Sequence, residues 1–269
     1  MANRRSALLN VMVAAAQKAA RKLVRDFGEV ENLQVSRKGP ADFVSAADKT
    51  AEQTLYRELA KARPGYSFLM EESGAIEGKD SSNCWVIDPL DGTTNFLHGL
   101  PHFAISIALE RDGEPFAGVI YEPVHDEMFW AEKGQGAFLN GNRLRVSGRA
   151  NMDEALFATG IPFKGARDHP QFLSQLEAVM AVSAGVRRFG SAALDLAYIA
   201  AGRFDGFWET GLSPWDLGAG IVIVREAGGF VSEINGGPKM MESGSILAAN
   251  DKLHGALGKI LRESAKKTS

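Results

Sequence analysis

The chain has 269 residues, 45% of them hydrophobic and 23% charged, a composition that suits a folded globular protein with a sizeable core. Its net charge of −3 offers no electrostatic footprint for nucleic acid or an anionic membrane surface. The single cysteine, Cys84, excludes an internal disulfide framework and a multi-cysteine zinc site.

Residues 6–20 are fairly apolar, but Asn10, Gln17 and Lys18 interrupt them. The stretch is too short for a membrane span and too polar for a signal peptide, so a cytoplasmic protein is expected. From Ser6 to about Phe27, apolar residues recur at helical spacing and Gly28 supplies a stop. Residues 29–43 read as a strand edge and a loop containing Lys38-Gly39-Pro40. Ser45 then suits the cap of a second helix running to about Lys61, closed by Pro64-Gly65. Asp48 falls in the first turn of that helix, where an acid complements the helix dipole. Tyr66–Met70 is a short strand ending at Glu71-Glu72, a pair that alone reads as a solvated surface feature. After Cys84–Ile87 come four runs, Phe103–Glu110, Phe116–Glu122, Glu127–Glu132 and Gly136–Leu139. Turn residues separate them, as in an antiparallel meander.

Beyond a soft division near residue 147 the pattern alternates. Strands are expected at Ala155–Gly160, Val186–Phe189, Phe204–Glu209, Phe230–Ile234 and Ile246–Ala249. Helices are expected at Pro170–Ala181, Ser191–Ala201, Trp215–Ala227 and Lys252–Glu263. The fold class is therefore a layered α+β / α/β sandwich. Residues 1–147 form an antiparallel half with two long helices, residues 148–269 form an alternating half, and the two make one unit.

One stretch carries chemistry, Cys84–Ile87 followed by Asp88-Pro89-Leu90-Asp91-Gly92-Thr93-Thr94. An apolar strand stops where proline removes a donor and glycine permits a bend, so its end carries two carboxylates. Such carboxylates repel each other and are costly to desolvate, and a hard divalent cation such as Mg²⁺ relieves both problems. A capped Asx turn accounts for the same letters. Asp216, in Ser213-Pro214-Trp215-Asp216, is by itself a helix N-terminal acid. Together with Glu71, Asp88 and Asp91 it makes a set of acids at strand ends and helix starts. No phosphate-binding glycine loop followed by Lys, no dinucleotide fingerprint and no nucleophile-elbow serine is present.

These segments carry a resemblance. Trp85–Phe96 resembles W-x-[IV]-D-P-[IL]-D-G-T-x-N-F, the first signature of the inositol monophosphatase family. Trp215–Gly220 with Glu226-Ala227-Gly228-Gly229 resembles the second, while Glu71-Glu72-Ser73 and Gly190–Asp195 resemble two shorter motifs. Met70 departs from the pattern, standing where the family usually has glycine. The resemblance implies an αβαβα sugar-phosphatase-like fold and a Mg²⁺-dependent, lithium-sensitive phosphatase that works without a covalent phosphoenzyme. It implies two to three Mg²⁺ ions: one held by Glu71, Asp88 and the Leu90 carbonyl, a second by Asp88, Asp91 and Asp216, and a third helped by Glu71. Thr93 paired with Asp48 would orient or deprotonate the attacking water, and Glu71 would join them in catalysis. The Gly92 and Thr93 N–H groups would hold phosphate. Glu209 would bond a substrate hydroxyl, Ser191 and Ala192 would line the same pocket as Asp91 and Asp216, and Lys38 would lie in a mobile loop.

Relatives in the family act on inositol 1-phosphate, fructose 1,6-bisphosphate, histidinol phosphate or 3′-phosphoadenosine 5′-phosphate. Arg187–Ala197 is most similar to the bacterial inositol-1-monophosphatases. Glu209 fits a neutral polyol hydroxyl better than a second phosphate. A phosphorylated polyol is thus the expected substrate, a homodimer the expected assembly, and binding to transcription machinery an added role.

Overall fold

In the computed structural model, residues 5–29, 35–37, 43–162 and 168–266 are described, with 35–37 and 43–45 as backbone only. Lys38 lies outside them. Ser6 caps α1 (Ala7–Phe27), its hydroxyl accepting the Leu9 N–H at 3.1 Å. β1 (Val35–Arg37) and β2 (Phe43–Ser45) pair antiparallel and lead into α2 (Ala46–Ala62). Ser45 closes β2, one residue before the helix begins.

Next come β3 (Tyr66–Met70), β4 (Gly74–Ile76), β5 (Asp80–Asp91), the short α3 (Thr93–Leu97) and β6 (Ala104–Arg111). They are followed by β7 (Glu114–Glu122), β8 (Glu127–Glu132), β9 (Gly136–Leu139) and β10 (Asn142–Arg143). These strands form one sheet in the order β10-β9-β8-β7-β6-β5-β3-β4. β3 runs parallel to β5, and the other neighbours in the sheet are antiparallel.

The remaining elements are β11 (Leu156–Thr159), α4 (His169–Met180), β12 (Gly185–Arg187), α5 (Ala192–Ala200), β13 (Gly206–Glu209) and α6 (Pro214–Glu226). Then follow β14 (Phe230–Ser232), α7 (Met240–Ser243), β15 (Ile246–Ala249) and α8 (His254–Ala265). The second sheet has the order β12-β11-β13-β15-β14, with β11 parallel to both its neighbours and β15 antiparallel to both of its own.

Strand alternation sorts the side chains into three cores. Trp85, Ile87, Ile105, Ile107, Val119 and Trp130 pack with Leu9, Met12, Leu55 and Leu59 of α1 and α2. On the other face of the same sheet, Val86, Ala104, Ala108, Ile120 and Phe129 pack with α5 and α6. Phe207, Ile246 and Ala248 of the second sheet close this middle core from the far side. Trp208 and Leu247 face outward to α4 and α8 through Val179, Leu257 and Leu261. The result is five layers, α1/α2, sheet, α5/α6, sheet and α4/α8, which is the αβαβα architecture expected from the sequence.

The α6 layer lies close against the first sheet. A Cβ on Gly118 would stand 2.6 Å from the Ala219 carbonyl oxygen, and one on Gly218 would stand 2.9 Å from the Ala108 Cβ. Both positions need glycine because there is no room for a side chain. Ser106 adds a bond, its hydroxyl donating to the Trp215 carbonyl at 3.1 Å.

Some elements differ from expectation. β5 extends from Asp80 to Asp91, passing through Pro89 where a stop was expected. β4, β10 and α7 were not expected at all. With two to four residues each, they are too short to show a period.

Candidate active site

β5 reaches Asp91 by way of a bulge. Asp88 pairs with Ser106 and Asp91 with Ala104, so three steps on β5 match two on β6. Pro89, which has no N–H to donate, sits in the irregular stretch. The turn inside the bulge is held by the Asp88 carboxylate, whose Oδ1 accepts the Leu90 N–H at 2.8 Å. Within the bulge, Leu90 turns into the α1/α2 core with Trp85 and Ile87. Asp88 and Asp91 are therefore left on the face that meets α5 and α6. Met70, the departure from the resembled pattern, also packs in the α1/α2 core and so points away from this face.

Gly92 then adopts φ 95°, a left-handed conformation that glycine reaches without strain. It caps α3, and the Thr93 hydroxyl donates back to the Leu90 carbonyl at 2.9 Å. Asn95 ties this turn to the second half of the chain. Its amide donates to the His102 and Phe189 carbonyls, each at 2.8 Å. Phe189 lies just ahead of Gly190-Ser191, so one side chain fixes the start of α5 against the end of β5.

The start of α5 holds Asp91. Ser191 accepts the Leu194 N–H at 3.3 Å as a helix cap and donates its own hydroxyl to Asp91 Oδ2 at 2.6 Å. The Ala193 N–H donates to the same oxygen at 2.7 Å. At the start of α6, Asp216 closes a capping box, its Oδ2 accepting the Ser213 N–H at 2.7 Å. One oxygen of each of these carboxylates is thus committed to a helix start.

Asp88, Asp91 and Asp216 each place a carboxylate oxygen within 4.8 Å of the other two. Asp88 is 2% exposed. Burial first, then the charges of Glu71, Asp91 and Asp216, hold it well above the usual carboxylate range. Burial also raises Asp91, to about 6, against the opposing bonds from Ser191 and Ala193. Asp216 is raised to about 8 by burial and then by Asp91, with Glu71 adding to the effect. Glu71, on the turn after β3, is thus electrostatically part of the group. A set of hard oxygen donors, each pushed toward its neutral form by the others, fits a divalent cation. The cation neutralises the charge that makes the bare cluster costly.

Glu209 ends β13 beside this cluster. Burial, then Asp216 and Asp91, push it to about 8, and Arg188 acts in the opposite sense. Its carboxylate occupies the volume a side chain on Gly160 would need, since a Cβ there would fall 1.8 Å from Glu209 Oε1. Ala192 is buried at the start of α5. Asp48 is buried in the first turn of α2, the helix that packs on β5.

The residues expected from Asp88 to Thr93 are thus brought together with Glu71, Ser191, Ala192, Glu209 and Asp216. Reading the sequence alone missed Asn95, Gly160 and Asp195. Asp195, buried on α5, is raised well above the usual carboxylate range by burial and then by Glu209 and Asp91. Its signal was its place in Gly190–Asp195. Gly160 had none, because its role depends on the register of β11 against β13.

Comparison with known proteins places the whole chain among its relatives. The model described as the inositol monophosphatase family matches residues 4–266. A protein of Mesorhizobium japonicum named Inositol-1-monophosphatase is 60% identical over 259 residues, covering 96% of this chain and 97% of its own. The Escherichia coli K12 protein named Nus factor SuhB is 46% identical over 246 residues, covering 91% and 92%. The crystal structure of extragenic suppressor protein suhB from Bartonella henselae superposes with a TM-score of 0.94 at 56% identity, covering 96% of this chain and 99% of that one. With the match running through nearly the whole chain, this protein belongs to the inositol monophosphatase family.

Proposed function

We propose that this protein hydrolyses myo-inositol 1-phosphate to myo-inositol and phosphate, with Mg²⁺ as cofactor. The observation that carries the reading is the Asp88–Asp91–Asp216 cluster with Glu71 beside it. It occurs in a chain 60% identical to one named Inositol-1-monophosphatase. Glu71, Asp88 and the Leu90 carbonyl would hold one ion, Asp88, Asp91 and Asp216 a second, and Glu71 would contribute to a third. Bound there, Mg²⁺ supplies positive charge to phosphate oxygens and makes water more acidic.

The chain's own groups do the rest. The Thr93 hydroxyl, oriented by its bond to the Leu90 carbonyl, would position the attacking water through its oxygen, and the water's proton would end on the Asp48 carboxylate, the hydroxyl handing on its own proton as it takes one. The Gly92 and Thr93 N–H groups hold the phosphate. Glu209 accepts a ring hydroxyl in a pocket lined by Ser191 and Ala192. The same reading carries lithium inhibition, a homodimer, a cytoplasmic location and a role for Lys38 in closing the site.

Phosphate release with and without Mg²⁺ tests it, using inositol 1-phosphate, fructose 1,6-bisphosphate, histidinol phosphate and 3′-phosphoadenosine 5′-phosphate. Inositol 1-phosphate is expected to give the highest kcat/KM, and both EDTA and Asp88→Asn are expected to abolish turnover. A higher kcat/KM on another substrate, or an Asp88→Asn protein at the parental rate, overturns the assignment. A second, added role is favoured by the 46% identity to a protein named Nus factor SuhB. Capture of RNA polymerase or antitermination factors by the tagged protein would support it, and clean capture of neither would dismiss it.

A further inference from the structure

We infer that Glu52 is a positioning residue for Glu71, setting the direction in which that carboxylate enters the metal site. The inference rests on the ligand role proposed for Glu71.

Asp48 and Glu52 lie one turn apart on α2, and each is 2% exposed. β3 ends at Met70 and β4 begins at Gly74, so Glu71, Glu72 and Ser73 form a three-residue turn. The N–H of Glu71 is fixed to the Ile87 carbonyl of β5 at 3.2 Å. The next two residues are both held by Glu52. The Glu72 N–H donates to Glu52 Oε2 at 2.8 Å, and the Ser73 hydroxyl donates to Oε1.

A buried carboxylate is costly unless its oxygens are bonded, and here each oxygen has a donor from the turn. Holding two consecutive residues from two oxygens prevents the turn from rotating about its β3 end, which fixes where the Glu71 side chain points. Glu52 is not among the charges that raise Asp88 or Asp216, whereas Glu71 is. Its oxygens face the turn, and the cluster feels Glu71. One face of α2 thus supplies Asp48 to the site region and clamps the loop that delivers Glu71. Groups that orient a metal ligand in this way commonly change metal affinity by about 10- to 100-fold when removed.

The test is Mn²⁺ binding to EDTA-stripped protein, read from the electron paramagnetic resonance of free Mn²⁺, together with Tm and the Mg²⁺ dependence of phosphate release. Glu52→Ala is expected to weaken Mn²⁺ binding by about tenfold. Ser73→Ala removes one exposed hydroxyl and one bond, and is expected to weaken binding roughly threefold with Tm unchanged. Glu52→Gln keeps an acceptor for the Glu72 N–H and offers its amide to the Ser73 oxygen, so it is expected to stay within about twofold of the parent. Glu71→Gln serves as the reference. If it binds Mn²⁺ like the parent, the ligand reading of Glu71 fails. If it is impaired while Glu52→Ala and Ser73→Ala lower only Tm, the positioning role alone fails. Glu52→Gln as weak as Glu52→Ala also overturns the inference, since charge and not geometry would then be acting. Should Glu52→Ala not fold, an unshifted Ser73→Ala decides against it.

Discussion

Gly160 has no side chain, and Glu209 uses the space. Adding a methyl group there requires only the tip of a flexible side chain to move, because the Cβ would meet the Glu209 carboxylate and not backbone. Gly160→Ala is therefore expected to fold with a Tm close to the parent while displacing the group proposed to bind a ring hydroxyl. Losing one hydrogen bond to an ionisable partner predicts at least a roughly tenfold fall in kcat/KM for inositol 1-phosphate. Steady-state kinetics with parental values would remove Glu209 from the substrate site. At this scale the sequence was legible where chemistry stood beside punctuation. Asp88 and Asp91 flank a proline and precede a glycine, and Asp216 follows Ser-Pro at a helix start. Glu52 stands beside no such marker, and Pro162 near Gly160 marks only the end of a strand. The partners of Glu52 lie 20 and 21 residues away, and the neighbour of Gly160 is on another strand, so their roles appear only after folding.

At the scale of elements, the position of Asp216 depends on how closely α6 approaches the first sheet. Gly118 on β7 allows that approach, and a Cβ there would meet the backbone of Ala219, which cannot rotate away. Gly118→Ala is expected to lift α6, costing about 1–3 kcal/mol in denaturant unfolding and raising the Mg²⁺ needed for half-maximal activity. Unchanged stability and Mg²⁺ requirement would show that α6 has room to spare. The long helices and the meander strands were legible because their apolar positions repeat over two or more turns or pleats. The run through Pro89 was not. Proline usually ends a strand, but here it lies in a bulge that has no ladder bond for it to break.

For the whole molecule, the clustered acids couple metal, pH and stability. The Asp216 carboxyl ordinarily titrates at 3.8, and burial with Asp91 beside it pushes it to about 8 in the fold. Between those values the folded, metal-free chain keeps a proton that the unfolded chain has lost, so stability falls as pH rises through that window. Glu209 is raised to about 8 and Asp88 is raised as well, so both act in the same direction. The Tm of EDTA-treated protein is therefore expected to fall from about pH 5 to about pH 8, while the increment given by Mg²⁺ grows over the same range. A metal-free Tm that rises or stays level would contradict the buried-cluster account. The layers themselves were readable as α+β followed by α/β; that α5 and α6 serve both sheets was not, because a helix buried on two sides has little polar face to mark its orientation. The bulge in β5 adds a constraint of parity. Asp88 and Asp91 are an odd number of residues apart, and in an unbroken pleat they would belong to different layers of the protein. The extra residue between them cancels that oddness. The length of the segment is therefore as much a part of the site as its letters, and it tolerates a change of residue at Leu90 better than a change in count.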